Sequence, residues 1–311
     1  MASHPPRIVS LLPSTTEIVC ALGLADALVG VSHDCDFPPE VRGKPVLSGA
    51  IVTAAESSRA IDRQIRGAVH RGTSVYHLDA SSLARLKPDL ILTQELCAVC
   101  APSYTLVRQA ARLLDAETRI VSLEPRGLLD VLDNILLVGE LAGAKREAAA
   151  VVARLRARIG AIEGRAGGPR PRVACLEWLD PIYIGGHWIP EMVALAGGLD
   201  VLGRSREPSL TVEWEAILDA QPDILMLMPC GFDIRRTRAE VGLVSGRPGW
   251  HDLPAVRRDR VYVTDASSYF NRPGPRLVDG LEILATAVRP DLFTHTLPDE
   301  ALERAAVRAA G

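Results

Sequence analysis

The fold of this chain is indicated first by one stretch near its N-terminus, Arg7-Ile-Val-Ser-Leu-Leu-Pro-Ser-Thr-Thr-Glu17. The apolar residues before Pro13 are typical of a buried strand. Ser14 or Thr15 then supplies the N-cap of a helix, with Glu17 in its first turn. The stretch therefore predicts a strand that passes directly into a helix, which is the repeating unit of α/β proteins.

Strands and helices alternate through most of the remaining sequence. Apolar runs predict further strands at residues 27–32, 76–78, 90–93, 119–123, 172–176, 182–184, 224–228 and 260–264. Helical periodicity separates most of these runs, so the alternation predicts βαβ units and parallel sheets. Residues 127–164 interrupt the alternation because they carry helical periodicity without a strand, and this predicts a helical connection between two lobes.

A chain of 311 residues is longer than the usual single core, which also favours two lobes. The lobes resemble each other weakly, because Lys87-Pro-Asp-Leu-Ile-Leu92 is matched by Gln221-Pro-Asp-Ile-Leu-Met226. We predict an α/β fold in which two lobes with central parallel sheets are joined by a long interlobe helix within about 144–164. The predicted domains are an N-terminal α/β lobe over 1–126, a helical interlobe connector over 127–165 and a C-terminal α/β lobe over 166–311.

The composition excludes several classes of protein. With 48% apolar and 23% charged residues and a formal net charge of −3, the chain is typical of a globular protein without a basic surface for nucleic acid. The sequence has no uninterrupted apolar run of about 18 residues, so no membrane insertion is predicted. The N-terminus lacks a basic segment followed by an apolar one, which predicts a cytoplasmic location, or a periplasmic one if a leader was removed.

Four of the six cysteines fall on turns that follow predicted strands: Cys35, Cys97, Cys100 and Cys230. Ligands of open α/β sheets bind at the carboxyl ends of strands, so these thiols point to one shared site in the cleft between the lobes. Together with His33 they have the chemistry of a metal or iron–sulfur site. The same thiols are also compatible with a redox pair or with a mere lining of the cleft. Cys20 and Cys175 lie in apolar segments and are predicted core residues.

Aromatic and polar side chains occupy further turns at strand ends. The sequence predicts that they line the same cleft as ligand-binding residues: Phe37, Glu95, Trp178, His187, Trp188, Phe232, Tyr269, Asn271 and Arg272. Gly185 and Gly186 either let the backbone approach a ligand closely or form a plain tight turn. Pro275 is predicted at the first position of the last helix. The sequence has no G-x-S-x-G, H-E-x-x-H, P-loop or dinucleotide motif, so no catalytic residue is predicted.

Four motifs resemble one family of binding proteins: the stretch 7–17, Val29-Gly-Val-Ser-His-Asp-Cys-Asp-Phe-Pro-Pro39, the stretch 87–92 and Arg272-Pro-Gly-Pro-Arg276. Over residues 7–290 the chain resembles the helical-backbone (class III) solute-binding proteins of iron-complex and vitamin B12 ABC importers, in the cobalamin-binding branch. The resemblance implies a periplasmic-binding-protein fold with a rigid interlobe helix and a ligand held between lobes. In B12-binding members the corrin lies among aromatic side chains, and the matching positions here include Phe37, Trp178, Trp188 and Tyr269.

The sequence therefore predicts a non-catalytic binding protein that holds a corrinoid such as cobalamin, or another metal chelate, in the interlobe cleft. One alternative is a metal or iron–sulfur-binding protein in which the turn cysteines are the ligands. A metal-dependent enzyme is the other alternative. The predicted partner is a small-molecule metal chelate, and whether an ABC permease is a further partner stays open at this point.

Overall fold

The computed structural model of the protein describes residues 6–50, 56–71, 75–94, 107, 118–294 and 296–305. The chain forms two compact units. Unit 1 consists of Met1–Pro125 and Leu129–Arg154, and unit 2 consists of Arg126–Leu128 and Leu155–Gly311. The helix Lys145–Glu163 contributes residues to both units, as the sequence predicted for a helix within 144–164. The predicted boundaries of a separate connector stay a prediction.

The described part of unit 1 contains one parallel sheet and one small antiparallel pair. In chain order its strands are β1 Ile8–Ser10, β2 Leu28–Val31, β3 Ser48–Ala50, β4 Tyr76–Leu78, β5 Leu90–Thr93 and β6 Arg119–Ser122. The parallel sheet has the order β2-β1-β5-β6, and β3 pairs antiparallel with β4. Its core side chains pack on one cluster that includes Val9, Leu11, Leu83 and Ile91.

Unit 1 contains the helices Pro13–Ala21, Ser58–His70, Ala80–Leu86 and most of Leu128–Leu141. The first helix begins earlier than predicted, because Pro13 takes a first-turn position and extended Leu12 is the N-cap, without a side-chain hydrogen bond. The predicted caps Ser14 and Thr15 therefore lie inside that helix. The apolar pattern of residues 103–114 predicts one further helix, which lies almost wholly outside the described residues.

Unit 2 is built around a larger, mixed sheet. Its strands are β7 Arg172–Leu179, β8 Ile182–Ile184, β9 Leu199–Asp200, β10 Leu210–Thr211, β11 Ile224–Leu227, β12 Val261–Thr264 and β13 Leu302–Arg304. The order is β10-β8-β7-β11-β12-β13, with β9 also paired to β7. Strands β7, β11 and β12 are parallel, so the predicted central parallel sheet is confirmed. The strands β8, β10 and β13 run antiparallel to their neighbours, which the sequence did not predict.

Helices precede and follow each of the three parallel strands of unit 2 in the sequence. They are Ile189–Leu195, Trp214–Ala220, Ile234–Glu240, Gly242–Ser245, Pro254–Arg257, Ala266–Tyr269 and Leu277–Val288. The last helix begins at Leu277 after Arg276 as N-cap, two residues later than the predicted start at Pro275. Trp214 and Trp250 stack in the core with ring centroids 6.1 Å apart, and Trp250 is fully buried.

Candidate ligand-binding site

The carboxyl ends of the three parallel strands of unit 2 lie at one edge of its sheet and are joined by backbone hydrogen bonds. Cys230 N, just after β11, donates to Glu177 O in β7 at 2.9 Å. Ser267 N, just after β12, donates to Phe232 O at 3.1 Å. The turns that follow β11 and β12 are therefore held in place against the end of β7, where α/β proteins bind their ligands.

Aromatic side chains occupy this edge. The rings of Trp178 and Phe232 are tilted by 54° with centroids 5.2 Å apart. The guanidinium carbon of Arg236 lies 4.8 Å from the centroid of the Phe232 ring. Phe232 is 6% exposed, whereas Trp178 is half-buried. We call Trp178, Phe232 and Tyr269 the aromatic edge of unit 2.

Tyr269 belongs to the segment after β12, which folds back on the turn after β11. Asn271 Oδ1 accepts a hydrogen bond from Gly231 N at 3.1 Å, and Arg272 Nη2 donates to Ser267 Oγ at 3.4 Å. The Arg276 guanidinium lies 5.9 Å from the centroid of the Tyr269 ring. Burial raises the pKa of the Tyr269 phenol, so it is a neutral hydrogen-bonding group at physiological pH. The structure thus brings six predicted site residues together at one edge: Trp178, Cys230, Phe232, Tyr269, Asn271 and Arg272.

His187 and Trp188 have a different setting, because the strand before them runs antiparallel. Gly185 N bonds to Cys175 O in the first half of β7, so the chain turns away from the carboxyl end of that strand. His187 has φ 50°, and its amide donates to Glu207 O at 2.6 Å. Burial, and secondly the charge of Arg126, lower the pKa of His187. The imidazole is therefore uncharged at neutral pH.

Trp188 is buried in unit 2, with 6% of its surface exposed. Its indole Nε1 donates to Phe270 O at 2.9 Å, next to Tyr269. Trp188 is thus placed to support the segment that carries Tyr269 and Asn271. Position 186 requires glycine for a structural reason, since a Cβ there would lie only 2.5 Å from Ser209 N. The glycine thus lets two backbone segments of unit 2 pack closely against each other.

Glu177 is a residue that the prediction of the site missed. The pairing of β7 with β8 shifts between Leu176 and Trp178, which makes Glu177 the extra residue of a β-bulge. Its carboxylate accepts a short hydrogen bond from Ser209 Oγ. Burial, with a further contribution from the charge of Asp200, raises the pKa of Glu177 to about 7. The acidic residue was visible in the sequence, but the register that places it was not.

In unit 1 the turn after β2 contains His33, Cys35 and Phe37. His33 Nδ1 lies 3.1 Å from Ser48 Oγ, and its ring centroid is 5.6 Å from that of Tyr76. Phe37 is 41% exposed, which leaves its ring accessible for contact with a ligand. Cys35 is only 6% exposed, and its Sγ lies 3.0 Å from Thr16 Oγ1.

The predicted thiol site is only partly covered by the structure. Glu95, Cys97 and Cys100 lie outside the described residues. Cys35 belongs to unit 1 and the exposed Cys230 to unit 2. Within the described ranges, no group of three or more His, Cys, Asp or Glu side chains is arranged to hold a metal ion. A thiolate metal site therefore stays a prediction that the described residues do not support.

The sequence profile of the family described as "Periplasmic binding protein" matches residues 8–268, which is most of the chain. The chain belongs to this family. Its resemblance to the solute-binding proteins of ABC importers, seen in the sequence motifs, is thereby confirmed. The family consists of binding proteins and not of catalysts, in agreement with the prediction that the protein is not an enzyme.

Three proteins similar to this member of the periplasmic binding protein family carry informative names. An "Uncharacterized ABC transporter substrate-binding lipoprotein YvrC" of Bacillus subtilis is 27% identical over 93% of this chain and 82% of its own length. A "Vitamin B12-binding protein" of Vibrio cholerae is 25% identical over 91% of this chain and 89% of its own. A solved periplasmic heme-binding protein from Pseudomonas aeruginosa has a TM-score of 0.72 at 21% identity and covers 98% of this chain and 99% of its own, which shows the shared fold.

These names overturn one prediction. A cytoplasmic location conflicts with the lipoprotein and periplasmic proteins that this family member resembles, so that prediction is wrong. Its error was to treat the first residues of the sequence as informative about location. Among the described residues, the helices are too short or too polar to cross a membrane.

Proposed function

We propose that this protein binds a corrinoid, or a metal chelate of similar size and shape, through its strand-end aromatic side chains. The observation that carries the proposal is the aromatic edge of unit 2, where Trp178 is half-buried beside Phe232. Relatives named for vitamin B12 or cobalamin binding support the ligand class. A relative named as a transporter lipoprotein supports a role in delivery to an ABC permease.

The chemistry of the edge suits such a ligand. A corrin ring has broad apolar faces, which favour contact with aromatic side chains, and a periphery of amides that form hydrogen bonds. Next to the rings, Asn271 and Arg272 offer an amide and a guanidinium, and Tyr269 offers a neutral phenol. The rings supply contact area while the polar groups set orientation.

The first test is a spectroscopic titration of the purified protein with cyanocobalamin. Replacement of Trp178 or Tyr269 by Ala removes aromatic contact area, which is worth about 1.5–3 kcal/mol, so each variant should bind about tenfold more weakly or worse. Trp214→Phe is the matched control, because Trp214 is 5% exposed and stacks on Trp250 in the core. Its affinity should equal that of the wild type. Equal affinity of all four proteins would contradict the role of the aromatic edge.

A parallel titration with hemin separates corrinoids from the second chelate class suggested by the solved neighbour. Saturable binding of hemin without binding of cyanocobalamin would support the proposed site but identify a heme, and not a corrinoid, as its ligand. Metal analysis of the untreated protein and of a Cys97→Ser, Cys100→Ser variant tests the thiol alternative. If the wild type contains no metal or cluster and the variant melts at the same temperature, the thiol site is eliminated.

A further inference from the structure

A second groove of unit 2 lies at the edge of its sheet opposite to the aromatic edge. It is lined by the residues that directly precede the three parallel strands: Pro171 before β7, Asp223 before β11 and Arg260 before β12. Its volume is about 550 Å³. The groove therefore occupies the amino ends of the strands, and it shares no residue with the candidate site for the chelate. We call it the amino-edge groove.

The amino-edge groove has an excess of positive charge. Its charged lining consists of Arg170, Arg258, Arg260, Arg289, Asp223 and Asp291. Arg258 forms a short ion pair with Asp223, and Arg289 bonds to Asp291 at 2.9 and 3.1 Å. Both carboxylates are thus already neutralised. Four arginines and two carboxylates leave the lining with an excess of two positive charges, and no carboxylate of the described residues forms an ion pair with Arg170 or Arg260.

Backbone carbonyl groups fix these two arginines in place. Arg170 Nε and Nη2 donate to Gly198 O at 2.9 and 2.6 Å. Arg260 Nη2 donates to Ala287 O and Val288 O, both at 2.9 Å. A guanidinium has five N–H donors, so each arginine keeps donors beyond these bonds. Because the side chains are already ordered, binding of an anion loses little rotamer entropy.

We propose that the amino-edge groove binds a phosphate-bearing anion. A phosphate oxyanion fits the planar donor fork of arginine, and its charge balances the excess of Arg170 and Arg260. The head group of a phospholipid and a free phosphorylated solute share this chemistry. The contrasting explanation is that the two arginines only satisfy carbonyl groups near helix ends, as Arg260 does for Leu277–Val288.

Calorimetric titration with inorganic pyrophosphate, at low and at physiological ionic strength, separates the two explanations. Wild-type protein should bind, and more weakly at higher salt because the charges are screened. Arg170→Gln removes a charge-assisted contact and should weaken binding about tenfold or more. Asp291→Asn leaves the charge of Arg289 uncompensated and should therefore strengthen the binding of pyrophosphate. The matched control is Arg7→Gln, because Arg7 bonds to the carbonyl of Leu86 in the same manner in unit 1 and should not matter for pyrophosphate.

Vesicle co-sedimentation identifies the source of the phosphate. Binding to phosphatidylcholine vesicles only when they contain phosphatidic acid, and competition by pyrophosphate, indicates a lipid head group. Binding of pyrophosphate without binding to vesicles indicates a free solute. The proposal is overturned if the protein binds neither pyrophosphate nor vesicles that contain phosphatidic acid. It is also overturned if the Arg170→Gln variant binds like the wild type. Cyanocobalamin affinity should be unchanged in Arg170→Gln, so the outcome is independent of the proposed function.

Discussion

Glu177 illustrates how the surroundings of a single side chain change its chemistry. It is the bulged residue at the end of β7, and Ser209 Oγ donates to its carboxylate. Burial is the main reason that its pKa rises to about 7, and the charge of Asp200 adds to the effect. The pKa of Asp200 is itself raised by burial. Both carboxyl groups thus favour the neutral form in the folded protein more than in the unfolded chain.

We expect the contribution of Glu177 to the stability of the protein to fall between about pH 4.5 and pH 7. In this window unfolded Glu177 has lost its proton, whereas folded Glu177 still holds it, so rising pH favours the unfolded state. Glu177→Gln cannot ionise and keeps an acceptor for Ser209. The variant should therefore lose part of the pH dependence, on the order of 1–3 kcal/mol between pH 5 and pH 8. Urea unfolding at both pH values measures the difference.

The exposed Glu215 provides the control for this prediction, because Glu215→Gln removes a carboxylate from a solvated helix face of the same unit. That variant should keep the pH dependence of the wild type. If Glu177→Gln and Glu215→Gln unfold with identical pH dependence, the neutral form of Glu177 is not what the folded protein prefers.

Which residues bind the ligand stays a prediction, but the strand ends explain why the structure brings some of the predicted side chains together and not others. Trp178 lies at the carboxyl end of β7, whereas Phe232 and Asn271 follow β11 and β12, and the carboxyl ends of parallel strands share an edge. Trp188 follows β8, which runs antiparallel, so the same rule does not apply to it. Glu177 depends on a bulge, and the register of a strand cannot be read from its own residues alone.

At the scale of secondary structure, the same set of hydrogen bonds, which we call the arginine–aspartate motif, occurs in both units. The backbone N–H of Arg7 donates to Asp89 Oδ2 at 2.7 Å, and that of Arg172 donates to Asp223 Oδ2 at 3.0 Å. In both units the arginine guanidinium also bonds to a carbonyl at the end of the helix that precedes this aspartate, Leu86 O or Ala220 O. These contacts explain why the sequence repeats Pro-Asp before an apolar strand in each half.

Each copy of the arginine–aspartate motif is preceded by a helix C-cap residue in the left-handed region. Lys87 has φ 44° and Gln221 has φ 41°, and neither is glycine. We expect Lys87→Gly to stabilise the protein by about 0.5–1 kcal/mol, because glycine adopts this conformation without steric cost. Gln221→Gly should gain less, since it also loses the side-chain hydrogen bond to Leu218 O at 2.7 Å. Urea unfolding measures both.

Lys44→Gly is the contrasting variant, because Lys44 is a C-cap with φ −80° in extended backbone. Glycine there gains nothing in the folded state and increases the entropy of the unfolded chain, so this variant should be destabilised. Loss of stability in Lys87→Gly as well would show that its backbone conformation is not strained.

Strands rich in apolar and aromatic residues were predicted well from the sequence, even where they are short. Strands β4, β5 and β8 have the predicted bounds. The missed strands, β3, β9, β10 and β13, are two or three residues long and show no alternation of apolar and polar side chains. Such strands exist because a neighbouring strand offers hydrogen bonds, and that neighbour is remote in the sequence. Tertiary pairing, and not local propensity, places them.

At the scale of the whole molecule, the division into two units mirrors the two lobes that composition and periodicity suggested. Each unit has its own parallel strands and its own core cluster. The helix Lys145–Glu163 is shared, since its residues up to Arg154 belong to unit 1 and the rest to unit 2. Its buried side chains include Val151 in the first part and Leu155 and Ile159 in the second. Each part of this helix therefore contributes buried side chains to its own unit.

We expect Arg154→Pro to uncouple the unfolding of the two units. Proline in a helix interior removes a backbone hydrogen bond and clashes with the preceding turn, at a cost of about 3 kcal/mol or more. Arg154 is exposed, so the substitution disturbs the helix and not the core. Calorimetry should show one transition for the wild type and two for Arg154→Pro. Arg154→Ala removes the same side chain but keeps the helix, so it should unfold like the wild type. A single wild-type transition in Arg154→Pro would mean that continuity of this helix does not couple the units.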